Sequence, residues 1–187
     1  LSVMAQEHGV HSEETFTGFK WIGRAVLDHP NRRFVFGYEQ ALGYLVAQPP
    51  LDKDGITAAV LMAEVAACAV AEGSSIDIKL GEFAERYGRY VIGERSIKMA
   101  PALSSRVVQR LQAEPPRSLG GVEVENIAEF PEAGLLRLML SDGTRLQVRP
   151  SGTEPKIKLY GEAVNGDPKV GLDDLAGLLN EIADSLS

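Results

Sequence analysis

The sequence of 187 residues has little cysteine, no excess of positive charge and no long apolar run. Its one cysteine, Cys68, permits no disulfide within the chain, which favours a reducing cytoplasm. The net charge of −7 argues against nucleic-acid binding, which needs many phosphates to be neutralised. The apolar run 56–71 contains Glu64, is too short to cross a bilayer and predicts a core helix with a buried, inert thiol. No signal peptide or membrane anchor is indicated.

Metal-ligand spacing is also missing along the chain. The three histidines, His8, His11 and His29, form no ligand pattern with each other or with the cysteine, so the sequence predicts no metal site. Asp52 and Asp54 precede the long apolar run, where acidic residues commonly cap a helix. Nothing near them supplies the further oxygen ligands that magnesium requires, and we expect them to be caps.

The most informative stretch begins at Arg149 and reads RPSGTEP. Arg149 offers a planar fork of donors that matches phosphate, while Ser151, Gly152 and Thr153 supply neutral donors around it. Residues 145–158 contain four basic residues and one acid, so a positive patch lies in a negative protein. The stretch predicts a phosphate-binding loop. The alternative is an ordinary strand connection, since proline, serine, glycine and threonine all favour turns.

The sequences on both sides of this loop alternate polar with apolar residues, as half-buried strands do. Residues 145–148 precede the loop and residues 156–160 follow it, so we expect it to join two strands at a sheet edge. It differs from a nucleotide P-loop, because no GK[ST] ending opens a helix.

Helical and extended patterns alternate along the first half of the chain, which indicates an α/β unit. The second half has successive strand patterns and a helical pattern at its end, which indicate an α+β unit with an antiparallel sheet covered by helices. We place the boundary near residues 94–101, giving domains 1–97 and 98–187. The chain starts within a helical pattern, which suggests a piece of a longer polypeptide. Helices are predicted at 1–8, 56–72, 78–87, 102–113 and 172–186, and strands at 33–38, 89–97, 121–130, 135–140, 144–148 and 156–163.

Three stretches resemble one enzyme family in the family's own order. RPSGTEP followed by KIKLY resembles the phosphate-binding loop in the last domain of the α-D-phosphohexomutases, which include phosphoglucomutases and phosphomannomutases. TGFKWIG at 17–23 resembles a segment of the third domain, and GYEQALGY at 37–44 resembles its sugar-recognition loop. The resemblance implies that 1–97 is most of the sugar-binding third domain, truncated at its N-terminus, and that 98–187 is the phosphate-binding C-terminal domain.

The resemblance also implies roles for individual residues. Lys158 would lie beside the phosphate loop, and Glu39 would accept hydrogen bonds from sugar hydroxyls with help from Lys20 and Tyr44. Many members carry serine and histidine in the 37–44 loop where this chain does not. The alternative for Glu39 is a solvated surface charge, and for Lys20 a stem that covers its aromatic neighbours.

Family members move a phosphoryl group between the C1 and C6 oxygens of a hexose through a bisphosphorylated intermediate. Their phosphoserine nucleophile and their magnesium loop lie in two preceding domains, and neither motif occurs in this sequence. The resemblance therefore implies that Mg²⁺ binds outside this chain, that a hexose bisphosphate acts as intermediate and activator, and that this chain alone is inactive. Its partners would be a phosphorylated hexose and N-terminal domains of the same polypeptide.

Two further classes of function stay open from the sequence. The chain could be a non-catalytic anion-binding or regulatory module with the same fold, or a purely structural interaction domain. The choice between glucose, mannose and other phosphosugars is also open, and TGFKWIG resembles members that act on pentose phosphates as well.

Overall fold

The computed structural model describes residues 1–39, 42–46, 48, 50–152 and 154–186. The chain forms two compact units, Leu1–Tyr87 and Gly88–Ser187. The sequence placed the change of domain about ten residues later. The difference arises because strand β3, Tyr90–Lys98, pairs over its whole length with a strand of the second unit.

The described residues of the first unit form four helices and one antiparallel hairpin. Residues 33–36 are not in a strand, so the predicted strand 33–38 was wrong in its placement, whereas the helices predicted at 1–8, 56–72 and 78–87 are confirmed to within two residues. In the hairpin, Tyr38 lies opposite Tyr44. The elements are α1 (Ser2–Glu7), α2 (Phe19–Asp28), β1 (Gly37–Glu39), β2 (Gly43–Leu45), α3 (Gly55–Ala71) and α4 (Ile76–Tyr87).

Asp54 is the N-cap of α3, as the sequence predicted. Its carboxylate accepts a hydrogen bond of 2.9 Å from the backbone N–H of Ile56 and one of 3.0 Å from the hydroxyl of Thr57. These bonds satisfy a donor that the first turn of a helix leaves unpaired. They favour the charged carboxylate, chiefly through the Ile56 N–H, and lower the pKa of Asp54 below its ordinary value.

We expect this cap to make the first unit sensitive to acid. Because the pKa of Asp54 is lower in the folded than in the unfolded chain, its stabilisation is complete above the unfolded pKa of about 3.9 and is lost as the pH falls through the folded value. Asp54→Asn retains a capping oxygen without a titrating group, whereas Asp54→Ala removes the cap.

Thermal unfolding followed by circular dichroism between about pH 6 and pH 2.5 should show less acid destabilisation in Asp54→Asn than in the parent. Asp54→Ala should be less stable than both at neutral pH. Identical pH profiles for the parent and Asp54→Asn would contradict the cap's electrostatic role.

Helix α3 is not the core helix that its composition predicted. Ala69 is its only buried residue, and Cys68 is exposed, so the prediction of a buried thiol was wrong. The helix is apolar on all sides, and within its unit it packs mainly against α4 and β2. Several large side chains, including Ile56 and Val70, therefore face outward.

Of the described helices, none is long and apolar enough by itself to cross a membrane. Helices α3 and α4 reach the required length and composition only as a pair, and they are bent by 90° relative to each other.

The second unit is a six-stranded sheet with two long helices, in agreement with the predicted antiparallel sheet covered by helices. The strand order is β3-β8-β7-β6-β5-β4, and all neighbouring strands are antiparallel. The further elements are α5 (Pro101–Ala113), β4 (Ser118–Leu119), β5 (Val122–Phe130), β6 (Leu135–Leu140), β7 (Arg145–Pro150), β8 (Lys156–Val164) and α6 (Lys169–Leu186).

The core of this unit lies between one face of the sheet and the two helices α5 and α6. Alternate residues of β7 and β8 are fully buried there with residues of both helices. The intervening polar residues of the same strands lie on the opposite face, because successive side chains of a strand alternate. The fully buried set includes Leu146, Val148, Ile157, Leu159, Val107, Leu111, Leu172, Leu175 and Leu179.

Candidate functional site

The RPSGTEP loop connects the ends of β7 and β8. Arg149 lies directly opposite Lys158 in the register of these strands, so the two side chains share the face that the helices do not cover. The two predicted strands are confirmed. The expectation of a sheet edge was wrong, because β8 has β3 on its other side and β7 has β6, and the loop lies at the end of two interior strands.

Internal hydrogen bonds hold the loop in a closed turn. The backbone N–H of Ser151 donates to the carbonyl of Lys156 at 2.9 Å, and the N–H of Lys156 donates to the carbonyl of Glu154 at 2.8 Å. The hydroxyl of Ser151 accepts a hydrogen bond of 3.2 Å from the N–H of Glu154. Ser151 therefore has a defined position in the loop, and Thr153, the last predicted neutral donor, lies outside the described residues.

Basic residues gather beside the loop on three adjacent strands. Lys98 lies opposite Lys156, and Lys158 follows two residues later on the same face, opposite Arg149. We call Lys98, Lys156, Lys158 and Arg149 the basic cluster. Lys98 lies more than fifty residues before the loop, so its place in the cluster follows only from the pairing of β3 with β8.

The charges of the basic cluster are only partly neutralised. Lys156 forms an ion pair with Glu154 at 2.8 Å, and this hydrogen bond, with the charges of Lys156 and Lys158, lowers the pKa of Glu154. Within the described part of the chain, no side-chain hydrogen bond or ion pair engages the guanidinium of Arg149. Its planar fork of donors therefore remains available for an anion.

Gly152 occupies an exposed position where the loop has open space. A Cβ atom built on it would have no heavy atom within 4 Å, and its φ is not in the left-handed region. The conformation of the loop therefore does not require glycine. A glycine in such a place lets a ligand approach the backbone closely.

The two stretches of the first unit that resemble sugar-binding segments contact each other. The backbone N–H of Gly18 donates to Oε2 of Glu39 at 2.9 Å, and Glu39 is half-buried. Gly18 precedes α2, and Lys20 lies in the first turn of that helix. The fold thus joins the 17–23 and 37–44 segments into one region that contains Glu39.

The glycines of the hairpin pack closely and do not turn the chain. Gly37 and Gly43 are strand residues without positive φ, and the turn carries Leu42 at φ 61°. A Cβ on Gly43 would lie 2.2 Å from the ring of Phe19. The absence of a side chain at Gly43 therefore makes room for this aromatic ring.

Lys20 and Tyr44, the other predicted sugar contacts, are both partly or fully exposed. The ammonium of Lys20 lies 5.1 Å from the centre of the Trp21 ring, a cation–π arrangement that leaves the charge accessible. The ring of Tyr44 lies 6.3 Å from that of Phe36. Both residues belong to the same unit as Glu39, whereas the basic cluster belongs to the second unit.

Comparison with known proteins assigns both parts of the chain to profiles of one family. Residues 1–87 match the profile described as phosphoglucomutase/phosphomannomutase, alpha/beta/alpha domain III. Residues 105–172 match that described as the C-terminal domain of phosphoglucomutase/phosphomannomutase.

Curated relatives carry related names. The chain is 37% identical over 175 residues to a probable phosphomannomutase of Haemophilus influenzae, with 90% of the chain and 35% of that protein covered. It is 28% identical over 217 residues to a phosphopentomutase of Mus musculus, covering 97% and 34%. It is 30% identical over 181 residues to a phosphoglucomutase of Staphylococcus epidermidis, covering 84% and 33%. The chain spans about a third of the length of these relatives.

Proposed function

Because this chain belongs to the phosphoglucomutase/phosphomannomutase family through its domain III and its C-terminal domain, we propose that it is the substrate-binding part of a phosphohexomutase. The complete enzyme interconverts hexose 1-phosphate and hexose 6-phosphate through a bisphosphorylated intermediate. The observation that supports this proposal most directly is the basic cluster, which lies beside a short loop of hydrogen-bond donors at the ends of β7 and β8.

The loop grips the phosphate that does not react. Arg149 donates two parallel hydrogen bonds to it, Ser151, Gly152 and Thr153 add neutral donors, and Lys158 adds a positive charge. The intermediate turns over between the two half-reactions, so the same donors bind either phosphate in turn. Holding one phosphate positions the other for transfer, and positioning is a large part of catalysis in phosphoryl transfer.

The first unit recognises the sugar. Glu39 is already fixed by the N–H of Gly18 through Oε2, and its carboxylate has further lone pairs that can accept sugar hydroxyls. Lys20 supplies an accessible ammonium, and Tyr44 supplies a half-exposed ring with a hydroxyl. Because serine and histidine are absent from the 37–44 loop, the contacts of this chain differ in detail from those of many relatives.

The chemistry itself needs groups outside this chain. By family resemblance, a phosphoserine and a Mg²⁺ ion held by an aspartate-rich loop belong to preceding domains, and neither sequence motif occurs here. The ion would neutralise charge that develops on the transferred phosphoryl group. We therefore expect the chain alone to bind the substrate without turning it over, and the cytoplasmic location stays a prediction.

Gly152→Ala tests whether the open space at the loop serves a ligand. Because a Cβ at this position would have no heavy atom within 4 Å, the free energy of unfolding should change by less than about 0.5 kcal/mol. Affinity for glucose 1,6-bisphosphate should fall by about tenfold or more, because the methyl group would displace the phosphate from the backbone. Titration of the 187-residue chain, followed through the backbone amides of the loop, measures both affinities.

The same titration distinguishes the alternatives. Unchanged affinity in Gly152→Ala would favour an ordinary strand connection, and amides that do not respond to the bisphosphate at all would favour a structural interaction domain. An anion-binding module would bind the ligand, but the complete polypeptide would convert none of a panel of glucose, mannose and pentose 1-phosphates in the presence of the bisphosphate and Mg²⁺. The panel also identifies the preferred sugar.

A further inference from the structure

Two histidines and one glutamate that are distant in the sequence meet at one point of the first unit. Nε2 of His29 lies 3.3 Å from Oε2 of Glu13, and Nε2 of His11 lies 3.9 Å from the same oxygen. The potential ligand atoms of all three residues lie within 4.8 Å of one another. The centres of the two imidazole rings are 6.0 Å apart and the rings are nearly perpendicular. Both Nε2 atoms approach the same carboxylate oxygen.

We propose that His11, Glu13 and His29 form a binding site for a divalent transition-metal ion of the zinc type. Two imidazole nitrogens and one carboxylate oxygen are a known protein ligand set for zinc, with the fourth position open to water. Tetrahedral zinc with bonds of about 2.0–2.1 Å separates its ligand atoms by about 3.3–3.4 Å. The observed separations of 3.3 Å for His29 and 3.9 Å for His11 from the Glu13 oxygen lie close to this value.

The donor set distinguishes this site from a magnesium site. Imidazole nitrogen suits zinc, cobalt, nickel and copper, whereas magnesium prefers oxygen ligands in an octahedral arrangement. The side chains are between 40% and 54% exposed, which leaves room for water at the remaining coordination position. The site is thus separate in chemistry from the magnesium that the family resemblance places outside this chain.

The position of the site gives the metal a structural consequence. His29 is the C-cap residue of α2, and His11 and Glu13 lie in the irregular segment that precedes this helix. A bound ion would tie that segment to the far end of α2. The segment leads to Gly18, whose N–H holds Glu39, so the metal would also steady the entry to the proposed sugar-binding region.

Calorimetric titration of the 187-residue chain with zinc chloride tests the proposal. We expect one saturable site, a rise in the unfolding temperature with zinc concentration, and a visible absorption spectrum when cobalt(II) replaces zinc. Zinc affinity should fall by more than about tenfold in each of His11→Ala, Glu13→Gln and His29→Ala. Even the mutation of a residue that only hydrogen-bonds to a metal ligand commonly lowers metal affinity by about 10- to 100-fold. Magnesium chloride should not compete.

His8→Ala is the matched control, because His8 is the one remaining histidine of the sequence and does not belong to the group. It should bind zinc as the parent does. Circular dichroism without metal should show that all four variants keep the parent fold, as expected for exposed side chains. The proposal is overturned if the parent shows no saturable binding up to about millimolar zinc, or if His29→Ala and His8→Ala bind alike.

Discussion

Arg149→Ala in a complete polypeptide that contains this chain should lower kcat/KM for the sugar phosphate by roughly 10- to 150-fold. The guanidinium lies beside the loop with no side-chain partner among the described residues, so the substitution would remove the charge-assisted contact that we propose for the phosphate. Hydrogen bonds to charged groups contribute about 1.5–3 kcal/mol, which sets this range. The structure itself should be little affected, because the side chain lies on the face opposite the core.

Arg149→Lys separates charge from geometry. Lysine keeps the positive charge and loses the planar fork, so we expect a loss smaller than that of Arg149→Ala but still measurable. Full activity in Arg149→Lys would show that charge alone suffices and that the bidentate arrangement is unimportant.

Arg145→Ala is the matched control for this series. Arg145 lies on the same strand and the same face as Arg149, but it forms an ion pair with Glu162 at 3.1 Å, away from the loop. Its removal should leave kcat/KM within about threefold of the parent, because the residue lies away from the loop and a partly exposed ion pair contributes little. Equal losses in Arg145→Ala and Arg149→Ala would indicate a general effect of charge, and unchanged turnover in Arg149→Ala would refute the phosphate grip.

Gly43→Ala should destabilise the first unit by about 1–3 kcal/mol, the usual cost of overpacking. The added methyl group would lie 2.2 Å from the ring of Phe19, which is buried at the start of α2. Phe19 would have to move, and with it the Gly18 N–H that holds Glu39. We therefore expect Gly43→Ala to weaken sugar binding as well, even if Gly43 itself does not contact the sugar.

Trp21 provides the measurement for Gly43→Ala. It is the only tryptophan of the sequence, it lies two residues after Phe19, and its ring makes an edge contact with Phe16 at 5.5 Å. Unfolding in urea followed by its fluorescence therefore reports on the first unit. A wild-type midpoint in Gly43→Ala would contradict the close packing of the hairpin on Phe19.

Gly81→Ala is the control, because it makes the same substitution in the same unit with the opposite expectation. Gly81 lies within α4, and a Cβ there would meet no heavy atom within 4 Å. Alanine should leave the midpoint unchanged or raise it, since it lowers the entropy of the unfolded chain by the equivalent of about 0.4–1 kcal/mol.

Local signals predicted most of the secondary structure. The helix near 56–72 was predicted from its cap at Asp54 and from the apolar run that follows the cap, and both signals act within a few residues. The strands on both sides of RPSGTEP followed from strict alternation, because every second residue there is buried. The strand expected at 33–38 failed because Phe and Val are common in strands but do not by themselves supply a partner.

Tertiary contacts decided what local patterns could not. The exposure of Cys68 could not be predicted from the sequence. Helix α3 is apolar on all sides, so its residues alone do not identify the face that becomes buried. Lys98 joined the basic cluster only through the pairing of β3 with β8. The spacing of the histidines along the chain did not show that α2 brings His29 back to Glu13.

The sequence by itself determined the turn formed by RPSGTEP, the alternation of its two strands and the cap of α3, because each depends on residues that are neighbours along the chain. Only the tertiary structure decided which lysines accompany Arg149, why Gly43 has no side chain, and that Glu39 accepts a hydrogen bond from Gly18. These depend on contacts between distant segments, whose pairing is set by the packing of the whole unit and not by any local pattern.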